Sequence, residues 1–265
     1  MAEYALDLSE QEVERFRTMA ARARVEEAQA WETAGIVAGA AVADVGCGPG
    51  AALLEMADVV GPHGSVVGVD ADPAAVAVAR RLVEQAGLTW ARVDEGQADA
   101  TGLAPGSVDV AVLRHVLAHN GGREQAIVRH LAGLVRPGGC VYLVDVDMTA
   151  WRLLGAEPDA VDIMERYVLF HRARGNDTQI GLRLGALLRQ AGLDVVEHRG
   201  TCAVLPVPVG LRPPPWVARH AMVREGVATQ EDVARWQAAL ERLDAAVERP
   251  TMFLSQFTAT GRRPG

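Results

Sequence analysis

The spacing of apolar and polar positions changes character along the chain. From Ser9 to about Ala34 apolar residues recur at three- and four-residue intervals, with Val13, Phe16, Met19 and Ala20 able to share a face, and Ser9-x-x-Glu12 has the form of a capping box. This predicts one or two helices. From Ala41 the texture becomes short β-branched runs, Ala41–Val45, Ser65–Val69, Trp90–Val93, Val108–Leu113 and Cys140–Asp145, separated by helical stretches. Such alternation predicts a parallel sheet with helices on both faces, because strands covered on two sides read as near-continuous apolar runs. One intervening helix is well signalled, with Asp72 able to cap it, Pro73 at its first position and Gly87 after its last turn. Another is expected from near Gly122 to before the turn Pro137-Gly138-Gly139, and a later one from Thr178 to Ala191, followed by a strand near Leu193–Val196.

Two segments break the alternation. Trp151–Gly175 follows the fifth strand, and Leu205–Arg249 joins a proline-rich apolar loop around Trp216 to a helix from about Thr229 carrying Val233, Trp236, Leu240, Leu243 and Val247. The pattern divides the chain into an N-terminal helical lid at 1–34, a core at 35–204 and 250–265, and a helical cap at 205–249. Trp151, Trp216 and Trp236 read as cap core more readily than as an aromatic cage. Met252–Thr260 has strand-like composition and is expected to close one edge of the sheet.

Composition narrows the function. The 265 residues are 49% hydrophobic and 23% charged, enough for one sizeable α/β domain with an appendage. A net charge of −8 and the lack of a basic run speak against nucleic acid as partner. All 26 basic residues are arginine, which removes lysine chemistry such as a Schiff base or a P-loop phosphate lysine. Three scattered cysteines do not make a disulfide framework or a metal knuckle, and no apolar run reaches membrane-spanning length. The start of the chain lacks a signal-peptide pattern. A cytoplasmic protein with no membrane partner and no metal is expected; a homodimer is left open.

The sharpest chemical signal is Asp44-Val45-Gly46-Cys47-Gly48-Pro49-Gly50, a strand entering a glycine-rich loop that precedes a helix. Glycines let the backbone bend tightly and approach a ligand, and the helix N-terminus presents unpaired N–H groups. About twenty residues on, Asp70 ends the next strand, where a carboxylate can accept both ribose hydroxyls. A nucleoside-type cofactor follows. These two features alone fit either a nicotinamide or an S-adenosylmethionine site, but the loop reads G-x-G-x-G rather than G-x-G-x-x-G.

With its other motifs, the sequence resembles the class I S-adenosylmethionine-dependent methyltransferases, in particular their ubiquinone/menaquinone C-methylase-like small-molecule branch, from about Gly35 to Leu193. Ala98-Asp99-Ala100 with Gly102-Leu103-Ala104-Pro105 looks like the adenine motif. Ser107–His119 looks like the fourth strand and the loop under the methyl donor, and Leu134–Gly139 like the turn before strand five. The resemblance implies a Rossmann-like seven-stranded, mostly parallel sheet with a reversed last strand, plus the helical cap. It assigns S-adenosylmethionine to Asp44, Gly46, Cys47, Gly48, Gly50, Asp70, Ala71, Asp99, Ala100 and Arg114.

A donor that is already activated needs mainly an acceptor held in line, with a base added when the acceptor must lose a proton. His119 and His115 follow strand four and are the candidates, because imidazole alone takes a proton near neutral pH without a shifted pKa. Asp145 and Asp147 are alternative substrate or base residues that also suit turn capping. His171 and Arg174 read more readily as solvated surface than as substrate contacts, and Tyr4 equally as a substrate contact or as ordinary lid packing. No N/D-P-P-Y/F/W follows strand four, so a small and, given the apolar cap, hydrophobic or aromatic acceptor of secondary metabolism is expected, at O, N or C. A fold relative that keeps the donor but cyclises or decarboxylates, a nicotinamide oxidoreductase and a non-catalytic binding protein are the competing readings.

Overall fold

The computed structural model describes residues 10–265. Tyr4 and Ser9 lie outside the described residues. Among the described residues, eight strands run in chain order as β1 (Ala41–Val45), β2 (Ser65–Asp70), β3 (Ala91–Glu95), β4 (Val108–Arg114), β5 (Val135–Val146), β6 (Arg152–Leu154), β7 (Asp194–Pro206) and β8 (Thr251–Arg262). They form one sheet in the order β3-β2-β1-β4-β5-β8-β6, with β7 along the other flank of β8. Strands β1 to β5 are parallel, and β8 runs antiparallel to β5, β6 and β7. The order reverses between β1 and β4, and open α/β sheets place their ligands at the carboxyl ends of the strands at such a switch point.

The helices are α1 (Glu10–Glu26), α2 (Ala28–Ala34), α3 (Ala51–Val60), α4 (Pro73–Gln85), α5 (Glu124–Leu134), α6 (Pro158–Ala173), α7 (Leu184–Gln190), α8 (Pro214–Val217), α9 (Arg219–Arg224) and α10 (Gln230–Ala245). Asp72 caps α4 by accepting from Ala74 N at 2.9 Å, and Thr229 with Asp232 forms a capping box on α10. One face of the sheet packs Val42, Val110, Val112 and Tyr142 against Trp31, Leu53, Met56 and Val76. The other packs Ala43, Val45, Leu113 and Leu143 against Ile127, Leu131, Phe170 and Leu184. Residue alternation along β1, β4 and β5 thus feeds two separate apolar layers.

Four expectations change. Met252–Thr260 lies inside the sheet rather than at its edge. Thr258, Ala259, Thr260 and Gly261 are consecutively buried, as a strand covered on both faces and paired on both flanks must be. The helix from Thr178 to Ala191 is broken: a 3₁₀ turn at Ile180–Arg183 precedes α7. There Gly181 presses on the Phe257 ring and the Val146 backbone, and a Cβ at Gly181 would sit 2.6 Å from Phe257 Cδ2. Met19 is exposed, and α1 turns Ala20 and Ala23 inward instead. An eighth strand also appears, because three residues of the Trp151–Gly175 segment pair with β8.

Candidate active site

The glycine-rich loop leaves β1 and hangs from its neighbour: Gly46 N and Cys47 N both donate to Val69 O, at 2.7 and 3.2 Å. Gly46, Gly48 and Gly50 have φ of +71°, +53° and +82°, the left-handed region that favours glycine. Two of them are also wedged, since a Cβ at Gly46 would overlap Val116 Cγ2 and one at Gly50 would stand 2.9 Å from Ala79 Cβ. Gly48 has nothing within 4 Å of its Cβ position, so the loop's middle opens onto free space. The Cys47 thiol is buried beside Gly68, which pushes its pKa up.

Asp44 and Asp70 border the loop. Asp70 is fixed by two backbone donors, Gly48 N at 2.7 Å to Oδ2 and Asp72 N at 2.9 Å to Oδ1. Asp44 is 1% exposed, and its Oδ2 has no hydrogen-bond partner among the described residues. Burial pushes its carboxyl up to about 7, against the pull of Arg114 and with the push of Asp70. Asp99 sits further out in a forked pair with Arg123, at 2.5 and 3.1 Å, which holds its pKa down. Ala71 and Ala100 are exposed next to Asp70 and Asp99.

Arg114, which the resemblance places among the cofactor residues, is engaged within the protein by an acid from the N-terminal helices. Its guanidinium meets Glu27 Oε2 at 2.5 Å at the break between α1 and α2. Glu27, 6% exposed, also accepts from Tyr142 Oη at 2.7 Å, Gln256 Nε2 at 2.9 Å and Trp31 Nε1 at 3.4 Å. One buried carboxylate therefore ties the N-terminal helices to β4, β5 and β8. Sequence reasoning missed Glu27, although it interrupts the small apolar stripe Ala20, Ala23, Ala30, Trp31 and Ala34.

Beyond β4 the chain gathers imidazoles. His115 has φ +55°, the sole positive value outside glycine among the described residues, while its N–H reaches Val144 O at 2.8 Å. Strain of this kind persists where surrounding structure enforces it, and it clusters at functional sites. His115 Nε2 is buried with no partner among the described residues. Burial, with Arg114, His119 and Arg15 nearby, holds its pKa down at about 3. His119 ends a 3₁₀ turn at Leu117–His119 and is held at about 4 by burial and Arg174. Both imidazoles are therefore neutral at pH 7 and weaker bases than their residue type suggests.

Asp145 is buried beneath that turn, accepting from Ala118 N at 3.2 Å and Val146 N at 2.9 Å, with burial pushing it up to about 7. Asp147 caps the next 3₁₀ turn, accepting from Thr149 N at 2.8 Å and Thr149 Oγ1 at 2.6 Å. Both acids thus act as turn anchors. His171 is buried on α6 rather than solvated, its ring 4.9 Å from that of His119 and 4.4 Å from that of Tyr167. Arg174 pairs with Glu225 at 3.0 Å and stacks over Phe170. Trp236 is core, its Nε1 donating to Asp162 at 2.9 Å, whereas Trp151 Nε1 is buried without a partner among the described residues. Among the described residues no group of three His, Cys, Asp or Glu side chains is placed to hold a metal ion, and no helix is long and apolar enough to cross a membrane.

A family model described as a methyltransferase domain matches residues 42–139. The ubiquinone biosynthesis O-methyltransferase of Bordetella bronchiseptica is 30% identical over 220 residues, covering 74% of this chain and 85% of that protein. Across the first curated relatives matched, the chain spans from 44% to 85% of the relative's length. Among solved structures, an S-adenosylmethionine-dependent methyltransferase from Aquifex aeolicus superposes with a TM-score of 0.53 at 20% identity, covering 70% of this chain and 90% of that one. The [4+2]-cyclase SpnF superposes with a TM-score of 0.54 at 17% identity, covering 99% and 86%. The two structural likenesses bear on the fold.

Proposed function

The chain belongs to the class I S-adenosylmethionine-dependent methyltransferases, and from that premise we propose that it methylates a small hydrophobic or aromatic acceptor at O, N or C in secondary metabolism. Its setting is the reducing cytoplasm, in keeping with three unpaired cysteines. The observation that carries the site assignment is Asp70, whose carboxylate is locked by two backbone N–H groups beside the open face of Gly48. A ribose suits that position, because a fixed carboxylate accepts hydroxyl hydrogens without first having to be ordered.

The cofactor supplies a methyl group already activated on a sulfonium. Asp44 offers an unpaired buried oxygen for its ammonium, and Asp99 is set to receive the adenine amino group. Gly46, Cys47, Gly48, Gly50, Ala71 and Ala100 supply the surrounding backbone. Arg114 serves as a positioning residue, holding Glu27 and offsetting the charge of Asp44. In this reading the described residues 10–34 act as a lid and 205–249 as a cap on a core of 35–204 and 250–265.

On the acceptor side the chain works mainly by proximity. His119 and His115 are neutral imidazoles on the turn anchored by Asp145. A base whose conjugate acid is destabilised in this way suits an acceptor that is itself acidic, such as a phenol or enol. Mass spectrometry of a reaction with labelled donor tests the reading. A gain of one methylene equivalent with formation of S-adenosylhomocysteine supports it, and a labelled donor recovered intact beside a rearranged product overturns it.

A further inference from the structure

Among the buried polar atoms without partners, His171 Nε2 is the one whose chemistry the surroundings determine. The backbone N–H of Gly121 reaches Asn176 Oδ1 at 3.0 Å, and a backbone N–H can only donate. That contact fixes the Asn176 amide, so its NH₂ group faces His171 Nδ1, at 2.9 Å. An NH₂ group has no lone pair to offer, so His171 Nδ1 must accept and cannot carry the ring proton. Burial, with His119 and Arg174 nearby, keeps the imidazole neutral, with its pKa held down at about 3. One proton remains, and it sits on Nε2.

That N–H group is buried, with no acceptor among the described residues, on a side chain only 3% exposed. The ring cannot easily turn to find one. Tyr167 stands edge-on at 4.4 Å and 81°, Phe170 at 5.4 Å and 80°, and His119 at 4.9 Å and 62°. A donor held in place and left unpaired in an apolar wall is satisfied only by something that enters.

We propose that His171 Nε2–H is the specificity contact for the acceptor, donating to an ionised phenol or enol oxygen of the incoming molecule. The inference rests on the acceptor side as read above and adds to it the class of group recognised. An anionic oxygen is the acceptor that gains most from a buried N–H, and a neutral imidazole offers a donor without adding a charge that must be desolvated. An analogue lacking the oxygen would leave the N–H unpaired, so the site discriminates by exclusion as well as attraction.

The test uses the full chain labelled with ¹⁵N-histidine and loaded with S-adenosylhomocysteine, with 4-nitrophenolate and 4-nitrotoluene as matched probes. The His171 spectrum is expected to show the proton on Nε2 and to shift it downfield with 4-nitrophenolate alone, which should bind at least tenfold tighter than 4-nitrotoluene. His171→Phe, which keeps a ring of similar size, should abolish the preference. His171→Gln, whose amide NH₂ reaches to the Nε2 position, should restore part of it. A proton on Nδ1, an unmoved Nε2 resonance, equal or absent binding of the two probes, or equal behaviour of the Phe and Gln variants overturns the proposal. Calorimetry of S-adenosylhomocysteine on the unmodified chain separates the outcomes: loss of that binding would undo the donor assignment itself, whereas intact donor binding with an indifferent His171 undoes only this inference.

Discussion

The two sides of the candidate site are built on opposite principles. On the side assigned to the donor, polar groups come matched: both oxygens of Asp70 accept backbone N–H groups, Asp99 is forked onto Arg123, and only Asp44 keeps an oxygen without a partner. On the side assigned to the acceptor, His115 Nε2, His171 Nε2 and Trp151 Nε1 are buried without partners among the described residues. The first side is a loop whose geometry the backbone dictates, so it can be finished before any ligand arrives. The second holds polar atoms that the fold leaves unsatisfied and a ligand must complete. A site that binds one invariant molecule can be complete in itself, while specificity for a variable partner resides in the unmatched groups.

The strongest way to break this contrast is to remove what seats both sides on the sheet. Glu27→Ala leaves the buried Arg114 guanidinium unpaired, which costs about 3–5 kcal/mol. It should lower the melting temperature by roughly 6–20 °C in a calorimetric scan; an unchanged melt would show that the N-terminal helices are not anchored there. Next is Asp70→Ala, which removes two backbone hydrogen bonds to a carboxylate, each worth about 1.5–3 kcal/mol, along with the ribose acceptors. S-adenosylmethionine affinity should fall roughly a hundredfold by titration calorimetry, and wild-type affinity in this variant would sink the donor assignment.

On the other side, His119→Ala should cost about 10²-fold in kcat, the low end for general-base catalysis, with donor affinity little changed. Because burial holds His119 at about 4, the wild-type pH–rate profile should show no histidine limb between pH 6 and 7. A limb there that vanishes in the variant would restore an ordinary histidine base. Near-native turnover in His119→Ala and His115→Ala alike would leave proximity alone at work.

Titration separates the buried acids, Asp44 and Asp145, from the buried histidines by sign. Asp44 has a folded pKa raised to about 7, so the stability it contributes is complete below the unfolded value and lost as pH rises through 7. The neutral mimic Asp44→Asn should therefore gain about 3 kcal/mol on wild type between pH 5 and pH 8 in denaturant melts. His115, His119 and His171 work the other way, their contribution being complete above the unfolded value and lost as pH falls towards 4 and 3. A pH-independent difference between Asp44→Asn and wild type would show that the carboxyl is not buried as described.

The smallest effect probes the seam between the two sides. Gly46→Ala meets both a φ of +71° and the Val116 side chain, and should cost about 1–3 kcal/mol. Adding Val116→Ala should recover the steric part but not the backbone part. Full additivity of the two changes in a double-mutant cycle would argue that the donor loop and the turn carrying the histidines are mechanically independent.

How much of this could be read in advance depended on distance along the chain. β1, β2 and β4, the Asp72 cap and the glycine loop with Asp70 are written in runs of a few residues, where pattern, capping and left-handed glycines act locally. The donor side was legible for that reason. The acceptor side joins residues from the loop after β4, the strand β5 and the helix α6, and His171 gave no local sign that it would be buried with its Nδ1 already taken. Glu27 is the clearest case, since its partners Arg114, Tyr142 and Gln256 lie 87, 115 and 229 residues away.

By itself, the sequence determined the alternation of strands and helices, the bends of the loop and the identity of the acids at its rim, because hydrophobic periodicity and φ preferences act over one turn or one strand. Only the tertiary structure decided that β8 would enter between β5 and β7, that Arg114 would serve Glu27, and that Asp44 and three histidines would have displaced pKa values. Burial and long-range pairing set those outcomes, and both depend on which residues meet once the sheet has closed.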